Sequence, residues 1–190
     1  MADPDAELAA SCNAGHLPAL EEIYRLYAAC IWRYARYYSG SEDAAEEIVQ
    51  ESFLRVARYL PAFEGRSKLS TWLYTIVRSV AIDITTRLRK APKSMEGEEL
   101  EQAAMRRELS GGMGPLEESI GKETRAAVRD AVARLPENER EAVVLCELQE
   151  LSLRQAGEVL GWTESRVKVT LFRGRRRLRA LLSAYVGAEV

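Results

Sequence analysis

Seven cationic side chains, Arg166, Lys168, Arg173, Arg175, Arg176, Arg177 and Arg179, crowd one segment in which the only acid is Glu164. Packed so densely, like charges repel one another unless an anionic surface lies beside them, and a guanidinium fork matches phosphate oxygens in geometry as well as charge. The chemistry on offer is recognition of a polyanion rather than bond-making. Bond-making groups are scarce: one histidine, His16, and three cysteines, Cys12, Cys30 and Cys146, without CxxC or Cys/His spacing. There is no glycine-rich phosphate loop and no nucleophile motif. No catalytic residue, metal site or cofactor is expected. The cysteines read as reduced thiols of a cytoplasmic protein, Cys30 and Cys146 being small buried hydrophobes within apolar helical patterns.

The cations need a scaffold, and Leu151 to Leu182 supplies one. Ser152 and Gln155 have capping-box spacing, so each can satisfy a backbone N–H of the other and start a helix. Leu153, Ala156, Gly157 and Leu160 share its apolar face, and Gly161 supplies the left-handed residue that ends it. Thr163 can cap a second helix, whose stripe Val167, Leu171, Gly174, Leu178 and Leu182 faces inward while the cations occupy the other faces. A helix-turn-helix with a basic second helix fits the DNA major groove, base edges at its N-terminal end and phosphates beyond. The competing reading is a solvated basic face on an ordinary helical hairpin.

Elsewhere the pattern is helical throughout, with no strand periodicity and no internal repeat. A short segment, Ala6 to Asn13, precedes a helix from Leu17 to about Tyr38 carrying Leu20, Ile23, Tyr24, Tyr27, Ile31 and Tyr34 on one face. Ser39, Gly40 and Ser41 break it, and either serine can cap the next helix, Glu42 to Leu60, with Ala45, Ile48, Val49, Ser52, Phe53, Val56 and Leu60 inward. Asp43, Glu46, Glu47, Gln50 and Glu51 are left largely on its other faces. Acids there favour the helix macrodipole, but they exceed what the dipole requires and equally suit a docking surface. Pro61 to Ser67 reads as an exposed connection with Phe63 and Arg66 near its tip. A third helix, about Lys68 to Leu88, turns Leu69, Trp72, Leu73, Ile76, Val80 and Ile84 inward. Around them lie Thr71, Tyr74, Thr75, Arg78 and Ser79, hydroxyls, a cation and an exposed aromatic suited to phosphates and unstacked bases.

From 91 to 121 glycine, proline and acids mark a linker, with a helical turn around Leu100 to Leu109; helical patterning resumes from Glu123 to Leu135 and again after Pro136. The net charge of −2 comes from 27 Lys and Arg against 29 Asp and Glu. Its distribution says more than its sum: Glu42 to Glu51 holds acids without a cation, and Arg66 to Lys90 holds cations with Asp83 the one acid. Separate surfaces of opposite sign imply separate partners. No apolar run is long enough to span a bilayer, so no membrane insertion is expected, and the first residues lack a basic signal region.

These segments resemble, in order and spacing, the extracytoplasmic-function sigma factors of bacterial RNA polymerase. Ala45-Glu46-Glu47-Ile48-Val49-Gln50-Glu51-Ser52-Phe53 is similar to the family's polymerase-docking helix, and Ser70-Thr71-Trp72-Leu73-Tyr74-Thr75-Ile76-Val77-Arg78-Ser79 to its promoter-melting helix. Leu135-Pro136-Glu137-Asn138-Glu139-Arg140-Glu141 and Leu151 to Arg175 resemble the upstream-promoter reader. The resemblance implies an all-α fold of two small helical domains joined by a flexible linker: 1–91 (region 2), 92–121 (linker) and 122–190 (region 4, with the helix-turn-helix). It implies that Asp43, Glu46, Glu47, Gln50 and Glu51 face the clamp of the largest polymerase subunit, with the flap of the second largest as a further contact. Phe63, Arg66, Ser67, Lys68, Thr71, Tyr74, Thr75, Arg78 and Ser79 would hold the minus-10 element. Arg154, Thr163, Glu164, Ser165, Arg166, Lys168, Val169, Thr170 and Arg173 would read the minus-35 element. Promoter DNA, core RNA polymerase and an anti-sigma factor are the implied partners. The chain departs from the family pattern at Glu47, which keeps the usual charge, at Ser79 in place of a usual asparagine, and at Arg166 where a small residue is usual.

Two other classes compete. An ordinary helix-turn-helix regulator would bind operators without polymerase, but its sensing half has no reason to carry the basic, hydroxyl-bearing helix Lys68 to Lys90. An enzyme fares worst, for want of any catalytic constellation.

Overall fold

The helical periodicity becomes seven α-helices in the computed structural model, which describes residues 17–90 and 122–186, and no strand occurs among the described residues. Residues 1–16 (with Ala6–Asn13, Cys12 and His16), the expected linker 92–121 and residues 187–190 lie outside them. The chain divides into two compact units, one within 1–112 and one within 113–190.

The first unit is a three-helix assembly of α1 (Leu17–Ser39), α2 (Glu42–Tyr59) and α3 (Leu69–Lys90). α1 stops because Gly40 takes φ 74°, and α2 starts at once because the Ser41 side chain accepts from the Ala44 N–H. Of the two candidate serines, Ser41 is the cap; Ser39 instead donates to the Ala35 carbonyl at 2.8 Å. α2 gives way at Pro61 to a 3-10 turn, Leu60–Ala62. Ile23, Ile31 and Tyr34 of α1, Ile48, Val49 and Val56 of α2, and Leu69, Leu73, Val77 and Val80 of α3 are fully buried. Burying such a side chain contributes about 1.5–3 kcal/mol, which is what offsets the entropy of ordering these short helices. Trp72 is only partly buried, covering the edge of a cluster that includes Phe63, its ring 4.9 Å from that of Phe63.

The second unit runs α4 (Lys122–Ala133), α5 (Glu137–Val143), a π-helical turn (Val144–Leu148), α6 (Leu153–Leu160) and α7 (Glu164–Val186). The helical pattern that resumes after Pro136 widens past Val143, closing with Gln149 N–H on the Val144 carbonyl and Leu151 N–H on the Leu145 carbonyl, each at 3.0 Å. Glu150 then adopts φ 56°, and both Leu145 and Leu151 stay buried. The capping box forms as read: Gln155 N–H donates to Ser152 Oγ at 3.2 Å, and Ser152 N–H to Gln155 Oε1 at 3.0 Å. Gly161 ends α6 at φ 67°, and Thr163 caps α7 by accepting from the Arg166 N–H at 3.3 Å.

Two glycines set the spacing of this unit. A Cβ on Gly157 would lie 2.8 Å from the Trp162 carbonyl oxygen, and one on Gly174 would lie 2.7 Å from Val143 Cγ2. Helix α7 therefore seats tightly on α5 through Leu171 and Gly174, over a cluster of Leu135, Ala142, Val143 and Leu171. Gly157→Ala must displace backbone at the turn and is expected to destabilise the second unit by about 1–3 kcal/mol. Calorimetry of the full chain checks this: the melting of the second unit falls while that of the first stays in place.

Candidate nucleic-acid interface and acidic docking face

The inward stripe of α7 fixes which residues point out. Val167 is 0% and Leu171 5% exposed, and Gly174 is buried behind them. At 3.6 residues per turn the opposite side carries Ser165, Val169, Phe172 and Arg176, all exposed, with exposed Lys168 and Arg173 beside them. Phe172, at 67% exposure, joins this outer side although the sequence reading does not single it out. The signal was present, since it lies three residues from Val169 and off the stripe of Val167 and Leu171.

The cationic run is divided by its surroundings. Arg177 Nε donates to Glu139 Oε2 at 2.9 Å, and Arg175 Nε donates to Glu147 Oε1 at 2.9 Å, so both are held against the body of the unit. Arg166 lies over the Trp162 ring, 4.2 Å from its centroid, a cation–π contact that fixes a long side chain at the start of α7. Lys168, Arg173, Arg176 and Arg179 are exposed and make no ion pair among the described residues. Arg154 is also exposed and shares its charge with Glu158 at 3.1 Å; Thr163, Glu164 and Ser165 are exposed and Thr170 is half-buried.

On α3, Thr75 and Ser79 are exposed and Arg78 is half-buried; in the preceding loop Lys68 is exposed, Ser67 is half-buried, and Arg66 is exposed and paired with Glu64. Three residues expected on this surface are buried instead: Phe63 at 6%, Thr71 at 2% and Tyr74 at 4%. Phe63 folds under because its N–H closes the 3-10 turn on the Leu60 carbonyl at 3.0 Å, sending the ring onto Trp72. Tyr74 and Thr71 are inward because α3 packs against both α1 and α2 and so buries a wider arc than one stripe; the Tyr74 ring lies 5.7 Å from that of Tyr34. Burial, and secondarily Cys30, pushes the Tyr74 hydroxyl far above the ordinary tyrosine range. Tyr74 is a packing residue rather than a wet stacking platform.

On α2, Asp43 and Gln50 are exposed, and Glu47 and Glu51 are half-buried. Glu47 pairs with Arg87 across to α3; Glu51 accepts from Arg55 at 2.9 Å, and Arg55 reaches on to Asp83 at 3.1 Å. Glu46, expected outward, is 3% exposed. It sits between Ala45 and the outer row, where the N-terminal half of α2 is enclosed on a broad arc that also buries Ala44, Ile48 and Val49. Asp43, Glu46, Glu47, Gln50 and Leu88 line one cleft of about 390 Å³. Acids and polar groups predominate in its lining, with Ala44 and Leu88 the apolar members.

Among the described residues no group of three or more His, Cys, Asp or Glu is placed to hold a metal ion, and no helix is long and apolar enough to cross a membrane. Cys30 and Cys146 are half-buried free thiols.

Two helical units, one presenting acids and the other a helix-turn-helix with an outward cationic face, define a transcription factor of the sigma class: the family model for Sigma-70 region 2 matches residues 23–93, and that for Sigma-70 region 4 matches residues 125–178. The chain is 32% identical over 178 residues to the ECF RNA polymerase sigma factor BldN of Streptomyces coelicolor, covering 93% of this chain and 65% of that protein. It is 32% identical over 179 residues to the ECF RNA polymerase sigma factor SigM of Mycobacterium tuberculosis, covering 94% of this chain and 84% of that protein. The structure of CnrH in complex with the cytosolic domain of CnrY superposes with a TM-score of 0.71 at 24% identity, over 96% of this chain and 99% of CnrH, and agrees in fold. The chain belongs to the extracytoplasmic-function sigma factors of RNA polymerase, the factors that direct polymerase to promoters at transcription initiation.

Burial, then the neighbouring Glu147 carboxylate, pushes the Cys146 thiol up to about 11 from an ordinary 9.0. At pH 8 its thiolate is then about a hundredfold scarcer than that of an unperturbed thiol. Alkylation of the native chain, followed by mass spectrometry, should label Cys146 slowly at pH 8 and faster as pH rises toward 11.

Proposed function

We propose that this chain programs core RNA polymerase by gripping the enzyme with α2 and the promoter with α3 and α7. Residues 1–91 form the polymerase-docking and minus-10 unit, 92–121 the linker, and 122–190 the minus-35 unit. The observation that carries the reading is the division of charge: exposed or accessible acids on the outer row of α2, and, on the outer face of α7, exposed cations that make no ion pair among the described residues.

Asp43, Glu47, Gln50 and Glu51 meet cationic groups on the clamp of the largest subunit, while buried Glu46 shapes the cleft from below. The flap of the second largest subunit is a contact of the C-terminal unit. Arg66, Ser67, Lys68, Thr75, Arg78 and Ser79 hold the backbone and extruded bases of the minus-10 element, with Phe63, Thr71 and Tyr74 supporting them from within. Arg154, Thr163, Glu164, Ser165, Lys168, Val169, Thr170 and Arg173 face the minus-35 major groove, and Arg166 is steered by Trp162. Lys and Arg supply sequence-independent affinity through counterion release, and base edges supply the choice of promoter. The chain performs no covalent step; polymerase does. An anti-sigma factor is the expected inhibitor, and the cytoplasm is the expected compartment.

Purified core polymerase should initiate at a cognate promoter only when this chain is added; initiation that ignores the chain would remove the reading. Glu47→Lys places like charges at the docking face and should weaken binding to core polymerase about tenfold or more. The fold should survive, because its pair with Arg87 is exposed and such pairs add little stability. Unchanged core affinity in a binding titration would refute that docking role. Lys168→Ala should lower the slope of log affinity against log salt by about one in the holoenzyme–promoter complex. An unaltered slope would mean that Lys168 touches no phosphate.

A further inference from the structure

The outer row of α2 and the near flank of α3 are laced together by charge. Glu47 and Glu51 lie one turn apart on α2, and Asp83 and Arg87 lie one turn apart on α3. Arg87 pairs with Glu47, while Arg55 lies between the helices, donating to Glu51 at 2.9 Å and to Asp83 at 3.1 Å. Carboxylates of the docking face are thus the partners of cations that border the promoter face. Asp83 and Arg87 follow Ser79 at four-residue steps, and each step turns only about 40° around the helix, so both adjoin the surface that carries Ser79. Asp83 is also the one acid between Arg66 and Lys90.

Water reaches both ends of this network: the Arg87 and Asp83 side chains are 60% and 58% exposed, and those of Glu47 and Glu51 are each 41% exposed. Such a pair favours its closed form by no more than about fivefold, so a competing cation of good geometry takes the carboxylate at little cost. The charges on α3 then change without any movement of backbone. Arg87 loses its counter-charge and can hold a phosphate, and Arg55, no longer shared with Glu51, turns wholly to Asp83 and cancels the acid that repels a nucleic-acid strand. We propose that this network relays docking to DNA: a cationic clamp surface that takes Glu47 and Glu51 releases Arg87 to a phosphate of the minus-10 strand and leaves Arg55 to neutralise Asp83. The inference rests on the reading of α2 as the polymerase-docking helix and of α3 as the minus-10 helix, and adds the residue that connects them, Arg87. Such coupling is reciprocal, since a strand that draws Arg87 away leaves Glu47 open to the clamp.

The test imitates docking without polymerase. The full chain carrying Glu47→Gln and Glu51→Gln is titrated with a single-stranded oligonucleotide bearing the minus-10 element that the holoenzyme selects from a randomised promoter library. Relative to the unaltered chain, affinity should rise about two- to fivefold, and the slope of log affinity against log salt should steepen by about 0.7, the value of one phosphate on a single strand. Adding Arg87→Gln should cancel both changes. Glu42→Gln removes an acid from the same helix but releases Arg36 of α1, whose side chain is 14% exposed, and should leave the slope as it was. An unaltered slope in the Glu47→Gln, Glu51→Gln chain, a gain that survives Arg87→Gln, or equal steepening in Glu42→Gln overturns the relay while leaving docking and minus-10 binding intact. Core polymerase binding separates the two levels. Arg87→Gln alone should tighten it about two- to fivefold, because the clamp no longer competes for Glu47, and no tightening overturns the relay. Full core affinity in the Glu47→Gln, Glu51→Gln chain overturns the docking reading and the relay with it.

Discussion

The close approach of α7 to α5 at Gly174 governs what the second unit can present. With Val143 Cγ2 and the Glu139 carbonyl oxygen only 2.7 and 3.2 Å from where a Cβ would stand, no larger residue fits and the two helices are held in one rotational setting. A rotation of α7 by one residue, roughly 100°, would carry Val167 and Leu171 into water and Arg cations into the core, a cost of many kcal/mol. Glu139 reinforces the setting. Its side chain is only 11% exposed, and Arg177 is its charge partner. Loss of that arginine leaves a nearly buried carboxylate without its charge partner, which costs more than the pair itself contributes. Arg175 and Arg177 are thus spent on holding the helix, and the exposed cations on its outer side are left for a partner.

The first unit handles charge differently. Its accessible acids are not bare: Glu47 is met by Arg87 and Glu51 by Arg55, which also reaches Asp83. Such exposed pairs contribute about 0–1 kcal/mol each, so a cationic partner surface can exchange for the internal arginine at small cost. Meanwhile the arginines hold the carboxylates in a narrow set of rotamers and keep the acidic row of α2 from repelling itself. The cleft beside it places exposed Leu88 next to the acids, an apolar surface among charges. Opposite charge is therefore kept apart by two different means, internal exchangeable pairing in one unit and rigid seating of a helix in the other.

What was legible in the sequence was local. Ser152 with Gln155, Gly161 and Thr163 define the helix-turn-helix because caps and left-handed residues act over three or four positions, and each forms as read. The stripes of α2 and α7 were legible because burial repeats with the helical period. Tertiary choices were not. Glu46 and Tyr74 look like surface residues by type and position, yet each falls on the edge of an arc widened by a second neighbouring helix, which no single-helix pattern reveals. Phe63 follows a proline and reads as loop, but the 3-10 turn curls it back to the core. The π-helical turn before Gln149 and the left-handed Glu150 leave no residue signature, since neither glycine nor asparagine marks the spot. The cationic run was visible as a run, but its division into holding and outward members depended on where Glu139 and Glu147 came to lie.

On the proposed division of labour, the outer row of α2 meets protein while the outer face of α7 meets DNA. Site-specific photocrosslinking in the holoenzyme–promoter complex tests it most directly, with a photoreactive amino acid in place of Gln50 in one preparation and of Arg176 in another. The first should crosslink to the largest polymerase subunit and the second to DNA at the minus-35 element. Transfer of the Arg176 crosslink to polymerase, or of the Gln50 crosslink to DNA, would contradict the division of labour between the two units.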